Sequence, residues 1–511
     1  MTKYKRMITA ILTSGVALVF SCLISLLLTP YITSAVGLAA YGFVSLAKNF
    51  YGYATILSDS LNSFASRYIV LEHHRDNKEQ ENIYFSSTVY GNIFISIMVS
   101  VIGLIIICFC DKLLHIPEGL VFDVRLLLLC TLIAYIISII SSAYSSGPLI
   151  AQKLDVIGIF KTLAYVLEGA TLILYFYFLK PSIWYVGFAS LLSAIVLGVA
   201  NFYVTRKYVG YLRVKWVYYR TKAVFTLMKD GIWTSLNSFG VMLNSGLDLL
   251  VCNLWLDSDA MGQVAIIKTI YGMFGSIFVI ISSSFQPMLL KSYADKDMDE
   301  FKKELSLSMK VSGLFANVVF AGFFAFGMLF YRLWIPEQDI GTIFWLTVIN
   351  NMVVIPSGPM QPLYYIYVLT LKKQVPTLIT IFSGLVNVVS MYLLIRYTNL
   401  GVYAVVWTTV VIMSVINFGT NPLYMAKVLK FKWWHFYPNI IRNVVSCVCL
   451  CCVFFGIAKL VNPSGWIGLI GCALLSVVVG FVLHITITFN KVEKEKFFEL
   501  ISRKFNRKIS T

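Results

Sequence analysis

The chain has 511 residues, a net charge of +17 and a mean hydropathy of +0.80, with 59% hydrophobic and only 13% charged residues. Soluble globular domains carry about 25% charged residues, which excludes a soluble fold. No polar stretch reaches the roughly 50 residues that an appended soluble domain needs. The apolar runs are long and continuous, whereas a membrane barrel needs alternating strands of about 10 residues, so an all-α integral membrane protein is expected.

The chain opens with MTKYKR and an apolar run from Met7 to Leu28. That run is longer than a signal core of about 7–15 residues and matches a spanning helix of about 20, so it reads as a retained first helix. In all, the sequence predicts about 14 transmembrane helices, at 8–28, 41–66, 84–109, 121–143, 156–178, 182–204, 231–256, 261–285, 307–331, 341–369, 376–396, 401–423, 439–458 and 465–489. With the N-terminus inside, the inside segments hold 30 Lys and Arg and the outside segments 6. By the positive-inside rule both termini are expected on the cytoplasmic side, with a basic tail near anionic lipid. The basic residues serve topology, and nothing points to nucleic acid. All ten cysteines lie in apolar runs, including the Cys447–Cys452 cluster, which has no His or carboxylate beside it. They read as small hydrophobes, and no metal site is expected.

The second helix carries Gly42, Val44, Lys48, Tyr51 and Gly52, which recur without gaps 220 residues later as Gly262, Val264, Lys268, Tyr271 and Gly272. An offset of six helices preserves orientation, so the repeat is parallel, with its axis along the membrane normal. The predicted architecture is two pseudo-symmetric six-helix lobes plus two C-terminal helices. The N-lobe is 1–205, a cytoplasmic basic linker 206–230, the C-lobe 231–425, the extra helices 426–490 and the basic tail 491–511.

The segment LLLTPYITSAVGLAAYGFVSLA, Leu26 to Ala47, resembles the opening of Wzx-type polysaccharide flippases of the O-antigen, capsule and teichoic type. These belong to the multidrug/oligosaccharidyl-lipid/polysaccharide exporter superfamily. The resemblance covers the chain in topology, but the motif is confined to the first 70 residues and a weaker echo at 254–285. It implies a transporter, not an enzyme, moving a polyprenyl-diphosphate-linked glycan from the cytoplasmic to the outer leaflet by alternating access. A cationic central cavity, membrane lipid and other polysaccharide-assembly proteins are the implied surroundings.

An ionisable group at the bilayer centre costs at least about 2.5–3.5 kcal/mol, so those present mark an interior or a wet cavity. In chain order, Lys48, Gly52, Thr55, Asp59 and Asn62 form one face of the second helix. Lys161 and Glu168 lie two turns apart on the fifth. Glu168 is a candidate counter-ion for Lys48 or, like Asp59, a carrier for a coupling proton or sodium; no other cofactor is expected. Asp248 on the seventh helix matches the depth of Lys268 on the eighth, so a salt bridge between them is expected, leaving Lys48 the freer cation. Lys48 and Lys268, with Tyr51, Thr55, Asn62 and Tyr271 near them, are the substrate-binding candidates, because ammoniums suit phosphate oxygens. Pro356, Pro359 and Pro362 break the tenth helix and mark a hinge candidate. His484 reads as a buried, hydrogen-bonded histidine. The charged run 72–81, with His73 and His74, reads as a solvated loop.

Two other functions compete. A multidrug cation exporter would prefer a cavity of carboxylates and aromatics, and intramembrane lysines argue against it. A membrane polysaccharide polymerase or ligase would present a sizeable outer loop with Arg or His, whereas the outer loops here are about 4–15 residues long. No phosphate-binding loop for ATP is present.

Overall fold

A computed structural model describes residues 3–370, 372–491 and 493–495, with side chains from Gly15 onward apart from residues 17 and 18. The tail bases Lys496, Arg503, Lys504, Arg507 and Lys508, and the side chains of Lys3, Lys5 and Arg6, lie outside the described residues.

Among the described residues every regular element is helical, and each predicted span falls within a helical segment. These are α1 (Lys3–Ala35), α2 (Leu38–His74), α3 (Lys78–Cys108), α4 (Val121–Ile150), α5 (Leu154–Phe178), α6 (Trp184–Tyr208), α7 (221–255), α8 (Ser258–Ala294), α9 (Met298–Trp334), α10 (Ile340–Leu369), α11 (Gln374–Tyr397), α12 (Val402–Val428), α13 (Tyr437–Val461) and α14 (Gly465–Thr488). Among the described residues eleven are long and apolar enough to cross a bilayer, where the sequence reading counted fourteen. The described side chains of α1 cover only part of its apolar run, as Val19–Ala35. Helices α2 and α7 fall short because polar and charged residues interrupt them, the charges including Lys48, Asp59 and Arg67 in one and Lys222, Lys229, Asp230 and Asp248 in the other. A helix that carries such charge at bilayer depth needs protein or water against that face.

Helix α1 does not stop at the Leu28-Thr29-Pro30 motif. It runs through Pro30 to Ala35, and the turn is made at Gly37, whose φ of 109° favours glycine. Buried Thr29 stands with its Oγ1 2.9 Å from the Tyr41 hydroxyl. The two halves of the motif therefore touch.

Packing divides the chain into two units. The first comprises Met1–Ile266 with Thr377–Val405, and the second Ile267–Pro376 with Val406–Thr511. In the first, α2 packs against α3, α4 and α7 around Leu61, Ala65, Ile95, Val99, Tyr135, Ile139 and Leu227. Helix α7 contains a π-helical turn at Met242–Gly246, where Leu247 N bonds Met242 O five residues back. Asn244 in that turn donates to Thr380 O of α11, and Asn387 donates back to Asn244 O.

In the first unit the repeat is visible as geometry. A Cβ on Gly42 would meet Gly262 N at 3.0 Å, and one on Gly262 would meet Leu38 O at 2.4 Å. The equivalent glycines of the two copies lie against each other. Only residues without side chains allow helices this close.

In the second unit α9 packs against α10, α13 and α14. Helix α10 is interrupted, but Pro356 and Pro359 sit within one α-helical piece and only Pro362 lies at a break. Its α-helical pieces are Ile340–Asn351, Val354–Met360 and Tyr365–Leu369, with a 3-10 turn at Gln361–Tyr364 that starts beside Pro362. Pro356, Pro359 and Pro362 are buried, and a Cβ on Gly358 would sit 2.2 Å from Ala316 Cβ, so this stretch is tightly packed.

Within the charged run 72–81, residues 74–79 are exposed around a short turn between α2 and α3, whereas Glu72 and Glu81 at its two ends are buried in the flanking helices. The Tyr211 hydroxyl donates to Glu81 Oε1 at 2.9 Å and lies 2.7 Å from His73 Nδ1. Burial, then the Glu81 carboxylate, pushes the Tyr211 phenol above its usual range. Of the span 206–230, only 209–220 lies between helices. This stretch is held along α3: Arg213 N donates to Asn82 Oδ1, Ser86 Oγ donates to Arg213 O, and Arg220 N donates to Ser87 Oγ.

Candidate functional site: the polar faces of helix α2

Helix α2 presents three faces. One is apolar and packs into the core, where Tyr51 makes an edge contact with Tyr135 at 5.4 Å. Tyr51 also lines, with Phe50, Leu57 and Tyr135, an apolar recess beside α3 and α4.

A second face is zipped to α7 by hydrogen bonds. Asn49 Nδ2 and the Tyr53 hydroxyl both donate to Gly246 O, at 3.0 and 2.5 Å, at the end of the π turn. Ser235 Oγ donates to Ile56 O at 2.7 Å, Ser238 Oγ donates to Asp59 Oδ2 at 2.7 Å, and the Tyr68 hydroxyl donates to Asp230. Such a ladder gives the backbone and side chains of a charged helix the partners that lipid does not offer.

The third face carries Lys48, Gly52 and Thr55. Lys48 and Gly52 are exposed, and a Cβ on Gly52 would meet nothing within 4 Å. Thr55 Oγ1 turns back to Gly52 O at 2.7 Å. Among the described residues Lys48 has no hydrogen bond or ion pair. The face thus ends in one unsatisfied ammonium over open space.

The other candidates separate into distinct environments. Asn62 Oδ1 accepts from Asn92 Nδ2 and Ser142 Oγ, each at 2.9 Å, so it ties α2 to α3 and α4. Glu168 accepts from Ser193 Oγ at 3.0 Å and Ser190 Oγ at 3.3 Å, both on α6. The expected Glu168–Lys48 pair does not form, because the α6 hydroxyls occupy the carboxylate. Lys161 is exposed on α5. Asp248 is buried in the first unit, where α7 resumes after its π turn. In the second unit Lys268 and Tyr271 are half-buried on α8, and Tyr271 packs beside Phe278, Ala316 and Val354.

His484 is fully buried, as its setting in an apolar run suggested, with Nδ1 2.8 Å from Ser446 Oγ and Nε2 3.2 Å from Lys310 O. Lys310 escaped the sequence reading. It is 2% exposed, and both Glu493 carboxylate oxygens accept from it, at 2.8 and 2.7 Å. The available signal was a lysine inside the predicted span 307–331.

The sequence matches the family described as "Polysaccharide biosynthesis protein" over residues 9–293. The chain belongs to this family. It is 26% identical over 456 residues to the uncharacterized membrane protein EpsK of Bacillus subtilis (strain 168), covering 89% of this chain and 90% of that protein. Its fold is similar to that of the lipid II flippase MurJ in an inward closed conformation, with a TM-score of 0.69, 14% identity, and 93% and 98% of the two chains covered. It is also similar to an inward-facing multidrug resistance MATE family transporter, with a TM-score of 0.64, 13% identity, and 84% and 99% covered. A family member with this fold and this many apolar helices is a multi-pass membrane protein.

Proposed function

We propose that this chain is a flippase that carries a polyprenyl-diphosphate-linked oligosaccharide from the cytoplasmic to the outer leaflet of a bacterial inner membrane by alternating access. Both termini are cytoplasmic in this reading, and the cargo serves surface polysaccharide assembly. The family and the flippase-like fold support the class of cargo. The observation that carries the reading is Lys48: an ammonium with no partner among the described residues, on the open face of a helix too polar to meet lipid tails. A compact point charge suits phosphate oxygens. An organic cation would be repelled at the same place, which sets drug export behind glycan transport.

Coupling is proposed to run through Glu168 and Asp59. Ser238 meets Asp59, Ser190 and Ser193 meet Glu168, and among the described residues neither carboxylate has an ion-pair partner, so each can exchange a proton or sodium without breaking an ion pair. The test is translocation of a fluorescent polyprenyl-diphosphate glycan in proteoliposomes containing the full chain. Cargo movement that is lost in Lys48→Ala and kept in Lys48→Arg is the expected result. Undiminished movement in Lys48→Ala would falsify the assignment of Lys48.

A further inference from the structure

The sixth and twelfth helices are followed by the same short pattern of base, apolar residue, lysine and tryptophan. It reads Arg213-Val214-Lys215-Trp216 after α6 and Lys430-Phe431-Lys432-Trp433 after α12. The two lie 217 residues apart, close to the 220-residue repeat, so they mark corresponding exits of its two copies. Trp216 and Trp433 are also the two most exposed of the ten tryptophans, at 68% and 62%.

Each pattern is held firmly from beneath. In the first unit Leu212 is buried, the backbone at Arg213 and Lys215 bonds to Asn82 and Ser86, and the Tyr90 ring meets Trp216 edge-on at 5.0 Å. In the second unit Leu429 and Phe436 are buried, Phe431 packs on the same core, and Phe431 N bonds Ala426 O at 2.8 Å. The apolar anchors point in, while the four bases and two indoles stay exposed.

An exposed indole beside bases matches the headgroup layer of a bilayer, where the ring has both an apolar and a polar neighbour. Charge selects the occupant. No Asp or Glu occurs between Glu168 and Asp230, or between Asp339 and Glu493. Among the described residues none of the four bases has an ion-pair partner. Anionic phospholipid supplies the missing charge and an apolar floor for the ring together.

We propose that these two patterns are twin footings that bind the phosphate headgroups of anionic phospholipid, one in each packing unit. They are separate from the Lys48 face and do not depend on its cargo. The test uses the full chain in nanodiscs containing either dibrominated phosphatidylglycerol or dibrominated phosphatidylcholine at the same mole fraction, read by tryptophan quenching. The part of the quenching lost in W216F/W433F is expected to be about twofold larger with the brominated anionic lipid. A second variant, R213Q/K215Q/K430Q/K432Q, keeps every tryptophan and should bring anionic quenching down to the zwitterionic level, which carries the test if the first variant does not fold. Equal quenching by the two lipids in the wild type would overturn the proposal. So would displacement of the brominated anionic lipid by a trace of polyprenyl diphosphate, which would reassign the footings to cargo capture.

Discussion

Helix α2, which lies in the first packing unit, and helix α8, which begins in the first and passes into the second at Ile267, are copies of one segment, yet they keep different amounts of its chemistry. Near their N-terminal ends they agree: Gly42 and Gly262, Lys48 and Lys268, Tyr51 and Tyr271, Gly52 and Gly272. Beyond that level they part. Thr55, Asp59 and Asn62 of α2 correspond to Gly275, Val279 and Ser282 of α8. Asp59 accepts from Ser238, whereas Val279 is exposed. Charge keeps α2 below the apolarity of a spanning helix, and α8 meets it. The lysine level is therefore common property of the repeat, while the carboxylate level belongs to the first copy alone.

The sharpest way to break this comparison is at the lysines. A charge-assisted contact is worth about 1.5–3 kcal/mol, and about 1.4 kcal/mol is tenfold. Lys48→Ala should slow translocation by about 10–100-fold, and Lys268→Ala by less. Equal losses in a proteoliposome assay would mean that the two copies share the load. Next come the glycines. Gly262→Ala places a methyl against Leu38 O and should destabilise the protein by about 1–3 kcal/mol. Gly272→Ala enters open space and should cost nothing measurable in thermal unfolding. Asn62→Ser installs the second copy's residue and withdraws the acceptor from Asn92 and Ser142, for a loss of about 1–2 kcal/mol in the same melt. The smallest effect is expected from Asp59→Asn. It keeps an acceptor for Ser238, so stability should hold, while the response of transport to an imposed ion gradient weakens a few-fold. An unchanged gradient response would remove Asp59 from coupling.

Much of the fold was legible because lipid makes the sequence simple. Apolar runs of spanning length are helices, and the Gly42/Gly262 identity, legible in the sequence, is a close backbone approach in the fold. Other features were hidden because they depend on partners distant in the chain. No periodicity announces the π turn at Met242–Gly246, whose register is set by Asn244 reaching Thr380. Asn62 and Glu168 looked like cavity residues because polarity in an apolar run has two explanations, and Asn92, Ser142, Ser190 and Ser193 supply the other one. The charged run 72–81 is exposed over its middle, but its density of charge hid the burial of Glu81, which Tyr211 meets with a hydrogen bond from a distant part of the chain.

Lys310 and Glu493 extend the functional boundary of the bundle past its last helix. The carboxylate stands just after α14 and closes on an ammonium buried in α9. Removing one member of such a buried pair strands the other, at a cost of about 3–5 kcal/mol. A shortened chain ending at Thr488 would keep every membrane helix and still lose the mooring of α9, so the smallest stable form of this protein has to reach at least to Glu493.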